Sequence, residues 1–531
     1  MAKKLKNIPA KAHPAHYMMH KYWGRKPHNV VSDYIKNYTK EGDTVLDPFM
    51  GSGVTIIESV KISRSAVGID LNPLSIFITK NTLKKIDINK FDKEFYSILN
   101  KNIDKFSDLY ITKCPSSNLP SRMLNSVYEE NNLLKIKGFS ENSGIFRKDA
   151  DKDDLKIIKK SERLFKKALK DNEIIFPCDE ILKYVKRSNK THIDQLFTKR
   201  ALLILSNIRR DILLTKDKDI RNVLMMCFSS MLPNVSKMIP GDLETVNGKS
   251  GWQISKLWAP KIHTEKNIFE SFISRYKRIR KGKLETNFLI KSNKYKLYKK
   301  SSEFLKNIES NSIDYIFTDP PYGESIAYLG LSMFFNSWLD NSVNYNKEII
   351  YDPYRNKKYQ DYSVRLDNVF KELYRVLKKG KHLSFTFHNR DLKIWKSIID
   401  AVNNAGFEME NIVYQEQAVA SGTQGINFKN TFKGDFVYNF IKPESKMNNH
   451  NKIVKNPIKV IETKIDSIFA KNKSITVDKL YEILIPYIVK RNIYANENGD
   501  PVSIENILSK KYEYGTDDKD KKIYKWKIKT A

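Results

Sequence analysis

The feature that most constrains the fold of this chain is an alternation of predicted strands and helices in two blocks about 200 residues apart. In the first block, buried strands such as TVLDP and SAVGIDL alternate with stretches of helical periodicity. The second block starts near residue 293 and predicts five more strands, of which the last two follow each other without a helix. Strands that alternate with helices form a mostly parallel sheet covered on both faces. We therefore predict one α/β domain, residues 1–84 and 293–443, with about seven strands and one antiparallel edge.

The segment between the two blocks, residues 85–292, is highly charged and mostly helical in its periodicity. Such a long excursion between two strands cannot be a loop, so we predict an inserted, mainly helical domain. After the polar linker PESKMNNHNK, residues 446–531 predict two helices and then a strand. This order is typical of a small winged-helix-like module, whose role the sequence does not indicate.

The formal net charge of +33 on 531 residues indicates a polyanionic partner, above all a nucleic acid. The alternative is a surface of solvated lysines in a chain rich in Lys, Asn and Ile. Cys114, Cys178 and Cys227 are far apart, which argues against a disulfide framework and a four-ligand zinc site. Neither a secretory signal nor an apolar run long enough to span a bilayer is apparent, so we expect a cytoplasmic protein.

A first candidate site lies in LDPFMGSGV, where Gly51 and Gly53 separate a predicted strand from a predicted helix. Glycines allow a tight turn and the close approach of a ligand. Asp70 ends the next strand, at the spacing where doubly wound domains place the acid that binds ribose hydroxyls. Asp47 would repel a phosphate but suits an amino group, so a nucleoside that carries an amino acid fits, and S-adenosylmethionine is the common example. The alternatives are a purely structural turn and, for Asp47, a helix N-cap.

The second candidate site is TDPPY, at the end of the fourth predicted strand. In a doubly wound sheet this strand lies beside the first one, so both motifs should face the same crevice. The Asp319 carboxylate and the Pro320 carbonyl can hold both N–H bonds of an exocyclic amine on a base and favour a pyramidal nitrogen. Pro320 and Pro321 fix the backbone, and Tyr322 offers a ring for a base taken out of its duplex. Catalysis would then rest on orientation and electrostatics; the alternative is a strand that ends in a proline turn.

With these motifs the chain resembles the amino-methyltransferases that modify adenine N6 or cytosine N4 in DNA. DPFMGSG is similar to their cofactor loop and DPPY to their catalytic motif. The resemblance implies a Rossmann-like, S-adenosylmethionine-dependent methyltransferase fold over residues 13–84 and 293–443. It also implies that the segment with Lys26 and Pro27 touches the methionine end of the cofactor and that Phe49 packs beside it. Where the family often has an acid that meets the adenine of the cofactor, this chain has Ser301 and Ser302, so we expect a hydroxyl to accept that hydrogen bond. The expected cofactor-binding residues are Lys26, Pro27, Asp47, Pro48, Phe49, Gly51, Gly53, Asp70 and Ser302.

The family resemblance also bears on the substrate, which it implies is double-stranded DNA. An aspartate before the two prolines favours adenine N6 over cytosine N4. The order of cofactor loop, insert and catalytic motif implies that the insert contains target recognition, and it allows a restriction endonuclease as a partner. Relatives with such an insert often carry a cysteine-rich ribbon, of which YITKCPSSN looks like a remnant without its ligands. We therefore expect no metal.

A basic helix in the insert, IFESFISRYKRIRKGK, is a candidate for contacts with phosphates. The alternative is a solvated face. Its candidate DNA-binding residues are Arg275, Lys277, Arg278, Arg280 and Lys281. The aromatic residues nearby are expected to belong to the core, and the histidines near the first motif are expected to be orienting or surface residues. These are Trp252, Trp258 and Tyr276, and His16, His20 and His28.

Two other functions remain open. The motif DPPYG also occurs in RNA guanine-N2 methyltransferases, although their two motifs lie much closer together. A non-catalytic DNA-binding subunit could keep the same fold, but it would have no reason to keep Asp47, Asp70, Asp319 and Tyr322 together.

Overall fold

The computed structural model describes residues 3, 5–186, 188–248, 256–291, 294–323, 326–389, 392–416, 434–445, 456–496, 501–516 and 524–529. The helices described are α1 (His28–Tyr38), α2 (Val54–Lys61), α3 (Pro73–Leu83), α4 (Ile88–Phe106), α5 (Lys152–Lys170), α6 (Lys199–Leu213), α7 (Lys218–Met231), α8 (Ile268–Leu289), α9 (Tyr328–Asn336), α10 (Tyr359–Val376), α11 (Leu392–Ala405), α12 (Pro457–Phe469), α13 (Val477–Lys490) and α14 (Ile504–Lys511). The strands described are β1 (Thr44–Asp47), β2 (Ser65–Asp70), β3 (Ile111–Lys113), β4 (Pro120–Glu129), β5 (Asn132–Ser140), β6 (Gly144–Asp149), β7 (Ile262–Lys266), β8 (Tyr295–Lys299), β9 (Ile313–Thr318), β10 (Leu377–Phe387), β11 (Glu408–Glu416), β12 (Gly434–Ile441), β13 (Ser474–Thr476), β14 (Tyr512–Thr516) and β15 (Tyr524–Ile528).

The central sheet has seven strands in the order β11-β12-β10-β9-β1-β2-β8. The strands from β10 to β8 pair in parallel, whereas β12 is antiparallel to both of its neighbours. Two strands come from the first sequence block and five from the second, which confirms the prediction of a mostly parallel α/β sheet with one antiparallel strand near its edge. β1 lies at the point where the strand order reverses, with β9 on one side and β2 on the other. In such sheets, ligands bind at the carboxyl ends of the strands at this point.

The insert contains helices α4 to α8 and also an antiparallel sheet, in which β3, β4, β5 and β6 follow one another and β7 pairs with β4. The prediction of a mainly helical insert missed this sheet. Its strands carry many polar residues, and only every second side chain of β6 is even half-buried, so no apolar run marks them. A buried ion pair between Arg200 and Glu265, with 2.9 Å between Nε and Oε1, joins α6 to β7.

The insert and the C-terminal segment both pack against the central domain. Trp338, which follows α9, is fully buried, and its ring centroid lies 5.6 Å from that of Phe197 and 5.5 Å from that of Phe228 in the insert. The C-terminal segment forms three helices and the antiparallel sheet β13-β15-β14. Its Tyr494 hydroxyl donates to Asp400 on α11 at 2.7 Å. Among the described residues, none of the helices combines the length and the apolar character that a bilayer-spanning helix requires.

Candidate active site

The turn between β1 and α2 depends on two glycines in the left-handed region. Gly51 has a φ of +48° and Gly53 a φ of +78°, a conformation that other residues rarely adopt. A Cβ atom on Gly53 would lie 2.3 Å from Oγ1 of Thr79, so the turn packs directly on α3. Position 53 is therefore a glycine because a side chain there would collide with Thr79.

Two aspartates hold this turn from the ends of neighbouring strands. Asp70, the last residue of β2, accepts the N–H of Gly51 on Oδ2 at 2.9 Å and the N–H of Asn72 on Oδ1 at 2.8 Å. Asp47, the last residue of β1, accepts the N–H of Phe49 at 3.1 Å and the hydroxyl of Thr318 at 2.7 Å, both on Oδ1. The hydrogen bond from Thr318 links the turn between β1 and α2 directly to β9, the strand that the second motif follows.

Burial disfavours the ionised form of both aspartates. Burial raises the pKa of Asp47 to about 7, although the hydroxyls of Thr55 and Thr318 oppose the rise. Burial also raises the pKa of Asp70 to about 6, against the opposing effect of the two backbone N–H groups. Among the residues that the structure describes, neither carboxylate forms an ion pair. A ligand that brings a cation to Asp47 and hydroxyls to Asp70 would stabilise both ionised forms.

The second motif follows β9 and places Asp319 in a dense set of donors. Its Oδ1 accepts from the hydroxyl of Tyr322 at 2.6 Å and from that of Thr386 at 2.7 Å, and the Lys26 ammonium lies 3.2 Å away. The Asp319 side chain is still 24% exposed. Burial raises the pKa of Asp319, and the charge of Lys26 opposes this rise. The carboxylate is thus fixed through one oxygen while part of it stays accessible.

Both motifs line one open cleft of about 1050 Å³, which includes some open solvent. This convergence is the spatial arrangement that the sequence predicted. The cleft is large enough for a nucleoside that carries an amino acid. The predicted site residues on its wall are Lys26, Asp47, Pro48, Phe49, Gly51, Asp70, Ser302, Asp319 and Pro321. The predicted residues Pro27, Gly53, Pro320 and Tyr322 lie next to this wall in the chain but do not line it. Tyr22, Arg25, Tyr328 and Glu348 are among the lining residues that the sequence analysis did not identify.

Three predicted residues have partners within the protein that the sequence did not indicate. Ser302 is buried, and its hydroxyl donates to the carbonyl of Pro48, so its hydrogen is committed to the turn while its lone pairs remain. Lys26 contacts Asp319 and Asp435 rather than the turn. The half-buried Tyr322 uses its hydroxyl on Asp319, and its ring packs edge-on against Phe387 at 4.9 Å between centroids.

Sequence reasoning missed the residues behind Asp319. Asp435, at the start of β12, accepts from Lys26 Nζ on Oδ2 at 2.8 Å, and its Oδ1 bonds to Nδ1 of His388. Burial alone would raise the pKa of Asp435, but Lys26 and His388 hold it well below its ordinary value. Because β12 is antiparallel, its first residues lie at the carboxyl edge of the parallel strands. The signal in the sequence was therefore an acid at the start of a strand, in GDFVYNF, and not at the end of one.

The donor and acceptor set of the cleft fits S-adenosylmethionine. The Asp47 carboxylate, which lacks a described cation, suits the ammonium of the methionine part, and Asp70 suits the ribose hydroxyls. Phe49 and Pro48 supply apolar surface between them. This fit rests on the chemistry of buried acceptors in the cleft.

The basic helix is α8, and only part of its charge is free to meet DNA. Lys277, Arg278 and Lys281 are exposed. Arg280 forms an ion pair with Asp92 at 2.9 Å, and burial lowers the pKa of Arg275 to about 10. Lys277, Arg278 and Lys281 thus face solvent, whereas Arg275 and Arg280 are partly buried.

The aromatic and histidine residues near these elements mostly pack within the protein. Tyr276 is buried, and its ring stacks on Phe95 at 3.9 Å between centroids, whereas Trp258 is 41% exposed. Trp252 lies outside the described residues. His16 contacts Glu285 at 3.0 Å, and His20 Nε2 lies 3.2 Å from the Ser229 hydroxyl. His28 packs near the ring of Tyr17, with 5.8 Å between centroids. In the described part of the chain, no three His, Cys, Asp or Glu side chains are grouped to hold a metal ion.

Comparison with known proteins assigns the family. A family model for DNA methylases of the N6/N4 type matches residues 3–81 and 313–526, which is more than half of the chain. The chain therefore belongs to the N6/N4 DNA methylase family. The matched residues include both motifs and most of the C-terminal segment, and they leave out the whole insert, residues 85–292.

Curated relatives match over shorter stretches. The type II methyltransferase M.MjaII of Methanocaldococcus jannaschii is 35% identical over 83 residues, which are 16% of this chain and 16% of that protein. M.BsoBI of Geobacillus stearothermophilus is 33% identical over 102 residues, 17% of this chain and 20% of that protein. The matches thus span a fifth or less of these relatives. A crystal structure of a SAM-dependent methyltransferase from Methanosarcina mazei covers 78% of this chain and 98% of its own, at 10% identity, with a TM-score of 0.26, which is too low to support an inference.

Proposed function

We propose that this protein is a site-specific DNA methyltransferase that transfers a methyl group from S-adenosylmethionine to the exocyclic amine of a flipped base, with adenine N6 as the favoured target. The observation that carries the proposal is the convergence of Asp47, Asp70 and Asp319 on one cleft from three neighbouring strand ends. Family membership supports DNA as the substrate.

The roles of the three aspartates are supported by their places on the cleft wall, and Pro320, which lies next to the wall, keeps the role that its motif predicts. Asp47 and Asp70 hold the ammonium and the ribose of S-adenosylmethionine, which when bound supplies an electrophilic methyl group. The Asp319 carboxylate and the Pro320 carbonyl accept the two N–H bonds of the target amine and direct its lone pair into the cleft. The amine must lose one proton when it gains the methyl group, and the accessible part of Asp319 is the nearest base in this arrangement. Orientation and electrostatics do the rest of the catalysis, with no covalent intermediate on the protein.

The base preference and the DNA contacts are further parts of this proposal. An aspartate rather than a serine before the two prolines favours adenine N6, and cytosine N4 is the second candidate. Residues 85–292 contain target recognition, and Lys277, Arg278 and Lys281 on α8 contact phosphates. The described part of the C-terminal segment, with its three helices and three-stranded sheet, supports a winged-helix-like module. A cognate restriction endonuclease in the cytoplasm is a candidate partner.

Incorporation of a tritiated methyl group into DNA of mixed sequence tests the activity, and nucleoside analysis of the product identifies the base. We expect N6-methyladenine from the wild type and a loss of at least about a thousandfold in Asp319→Ala. Asp314→Asn is the matched control, because Asp314 lies at the opposite end of the same strand and pairs with Lys378 at 2.7 Å. It should retain activity within about threefold of the wild type.

Each other outcome has a definite meaning. N4-methylcytosine in the product would show that the target base is cytosine and not adenine. Activity that survives Asp319→Ala would show that the assigned site is wrong. An inactive wild type that still binds DNA would favour a non-catalytic subunit.

A further inference from the structure

The catalytic carboxylate proposed above is held by a buried cation that a second carboxylate shares. Nζ of Lys26 lies 3.2 Å from Asp319 Oδ1, 2.8 Å from Asp435 Oδ2 and 2.8 Å from the hydroxyl of Tyr322. The Lys26 side chain is 11% exposed and that of Asp435 is 4% exposed. Such a desolvated contact orients its members more strictly than a surface ion pair does.

Asp435 is fixed in turn from its other side. Its Oδ1 bonds to Nδ1 of His388, the residue that follows β10. Each oxygen of Asp435 thus has its own partner, and the two partners come from different parts of the chain. Asp435 belongs to β12, Lys26 precedes α1, and His388 follows β10, the strand beside β9. The antiparallel direction of β12 is what brings a carboxylate to this place.

This geometry leaves Lys26 little freedom. If Asp435 were neutral, the ammonium would keep only Asp319 and Tyr322, and it could turn toward the open cleft. Asp319 Oδ1 would then lose the Lys26 ammonium as a donor, while the hydroxyls of Tyr322 and Thr386 would remain. The plane of the catalytic carboxylate, and with it the direction of its accessible oxygen, would be less well defined.

We propose that Asp435 and His388 are positioning residues that hold Lys26 against Asp319 and so orient the acceptor of the target amine. The inference rests on the proposed methyltransferase function. It also gives Lys26 a role at the methyl acceptor and not at the methionine end of the cofactor, where the family resemblance places it.

The test is steady-state methyl transfer by Asp435→Asn, with kcat and KM measured for both S-adenosylmethionine and DNA. A residue that orients a catalytic group should lower kcat by about ten- to a hundredfold and leave both KM values within about threefold. Asp435→Glu should recover part of the lost kcat. Because Asp435 acts through Asp319, the double variant with Asp319→Asn should be no slower than Asp319→Asn alone.

Asp400→Asn is the matched control. Like Asp435, Asp400 accepts from a lysine, Lys396; its second partner is the hydroxyl of Tyr494, and it lies on α11 outside the cleft. It should change kcat by less than about twofold. If Asp435→Asn does not fold, as judged by its thermal transition, His388→Gln tests the same contact and should lower kcat by about tenfold.

The outcomes separate this inference from the function on which it rests. A wild type that methylates no DNA refutes the proposed function, and the positioning role falls with it. An active wild type with an unchanged Asp435→Asn variant refutes only the positioning role. A variant with normal kcat and a raised KM for S-adenosylmethionine also refutes it, because Lys26 would then serve the cofactor.

Discussion

The cofactor end and the catalytic end of the site each contain a buried aspartate, and the two differ in how their charge is balanced. Asp47 at the end of β1 accepts only neutral donors, and burial raises its pKa to about 7. Asp435 at the start of β12 contacts Lys26 and His388, which hold its pKa well below the ordinary value against the effect of burial. Similar burial therefore has opposite consequences for the two carboxylates.

This difference indicates which half of the site is complete without ligands. The catalytic half carries its own cation, Lys26, which opposes the rise in the pKa of Asp319 and holds the pKa of Asp435 low, so both carboxylates have a charged partner in the free protein. The cofactor half contains a carboxylate whose cation must come from a ligand. Binding of that ligand would then relieve an unfavourable burial, and cofactor binding and folding stability are coupled through Asp47.

The largest effect should come from removal of the shared cation in Lys26→Met. Asp319 and Asp435 would both lose their ion pair while buried, and breaking such a contact costs about 3 kcal/mol or more. We expect a fall of that size in the free energy of unfolding, measured in urea. Lys84→Met removes a lysine from an exposed pair with Asp219 and should cost less than about 1 kcal/mol. If both variants lowered the free energy of unfolding equally, the buried ion pairs of Lys26 would contribute no more than an exposed pair. The contrast between the two halves of the site would then not hold.

Asp47→Asn should shift stability in the opposite direction. An amide keeps the shape of the side chain and can still accept from Phe49 and Thr318, but it carries no charge. We expect the cofactor-free variant to be more stable than the wild type at pH 8, by on the order of 2 kcal/mol. S-adenosylmethionine should bind at least about tenfold more weakly, because its ammonium loses the carboxylate. Thermal unfolding and titration calorimetry measure the two effects, and a less stable variant would contradict the interpretation.

The same contrast predicts a pH dependence. The pKa of Asp47 is about 7 in the folded protein and 3.8 as its ordinary value. The folded state therefore binds the proton more tightly, and the contribution of this group is fully present below about pH 4 and is lost as the pH rises through about 7. The stability difference between Asp47→Asn and the wild type should grow across this window and then level off. A difference that stays constant between pH 4 and 8 would exclude Asp47 as its source.

The sequence predicted the cofactor half of the site more fully than the catalytic half. Asp47, Asp70 and Asp319 each end an apolar run, and the carboxyl ends of parallel strands meet at one edge, so their convergence follows from the pattern alone. Asp435 stands at the start of its strand, and its relevance depends on the antiparallel direction of β12 and on partners about 410 and 47 residues away. The sheet of the insert was missed for a similar reason, because β4 pairs not only with β5 but also with β7, which lies far along the chain.

The smallest change in the free energy of unfolding is expected from Asp70→Asn. This variant also tests whether Asp47 differs from Asp70 because of its hydrogen-bond partners. Burial raises the pKa of Asp70 as well, but its two oxygens each accept a backbone N–H, from Gly51 and from Asn72. An amide offers one acceptor oxygen, so one of these N–H groups would face an N–H donor. The gain from removal of a buried charge and the loss of a backbone hydrogen bond should nearly cancel, which leaves a change in unfolding free energy below about 1 kcal/mol. Urea unfolding of the cofactor-free protein at pH 8 measures it. If Asp70→Asn stabilises the protein as much as Asp47→Asn does, burial alone sets the behaviour of both aspartates, and their different hydrogen-bond partners do not matter.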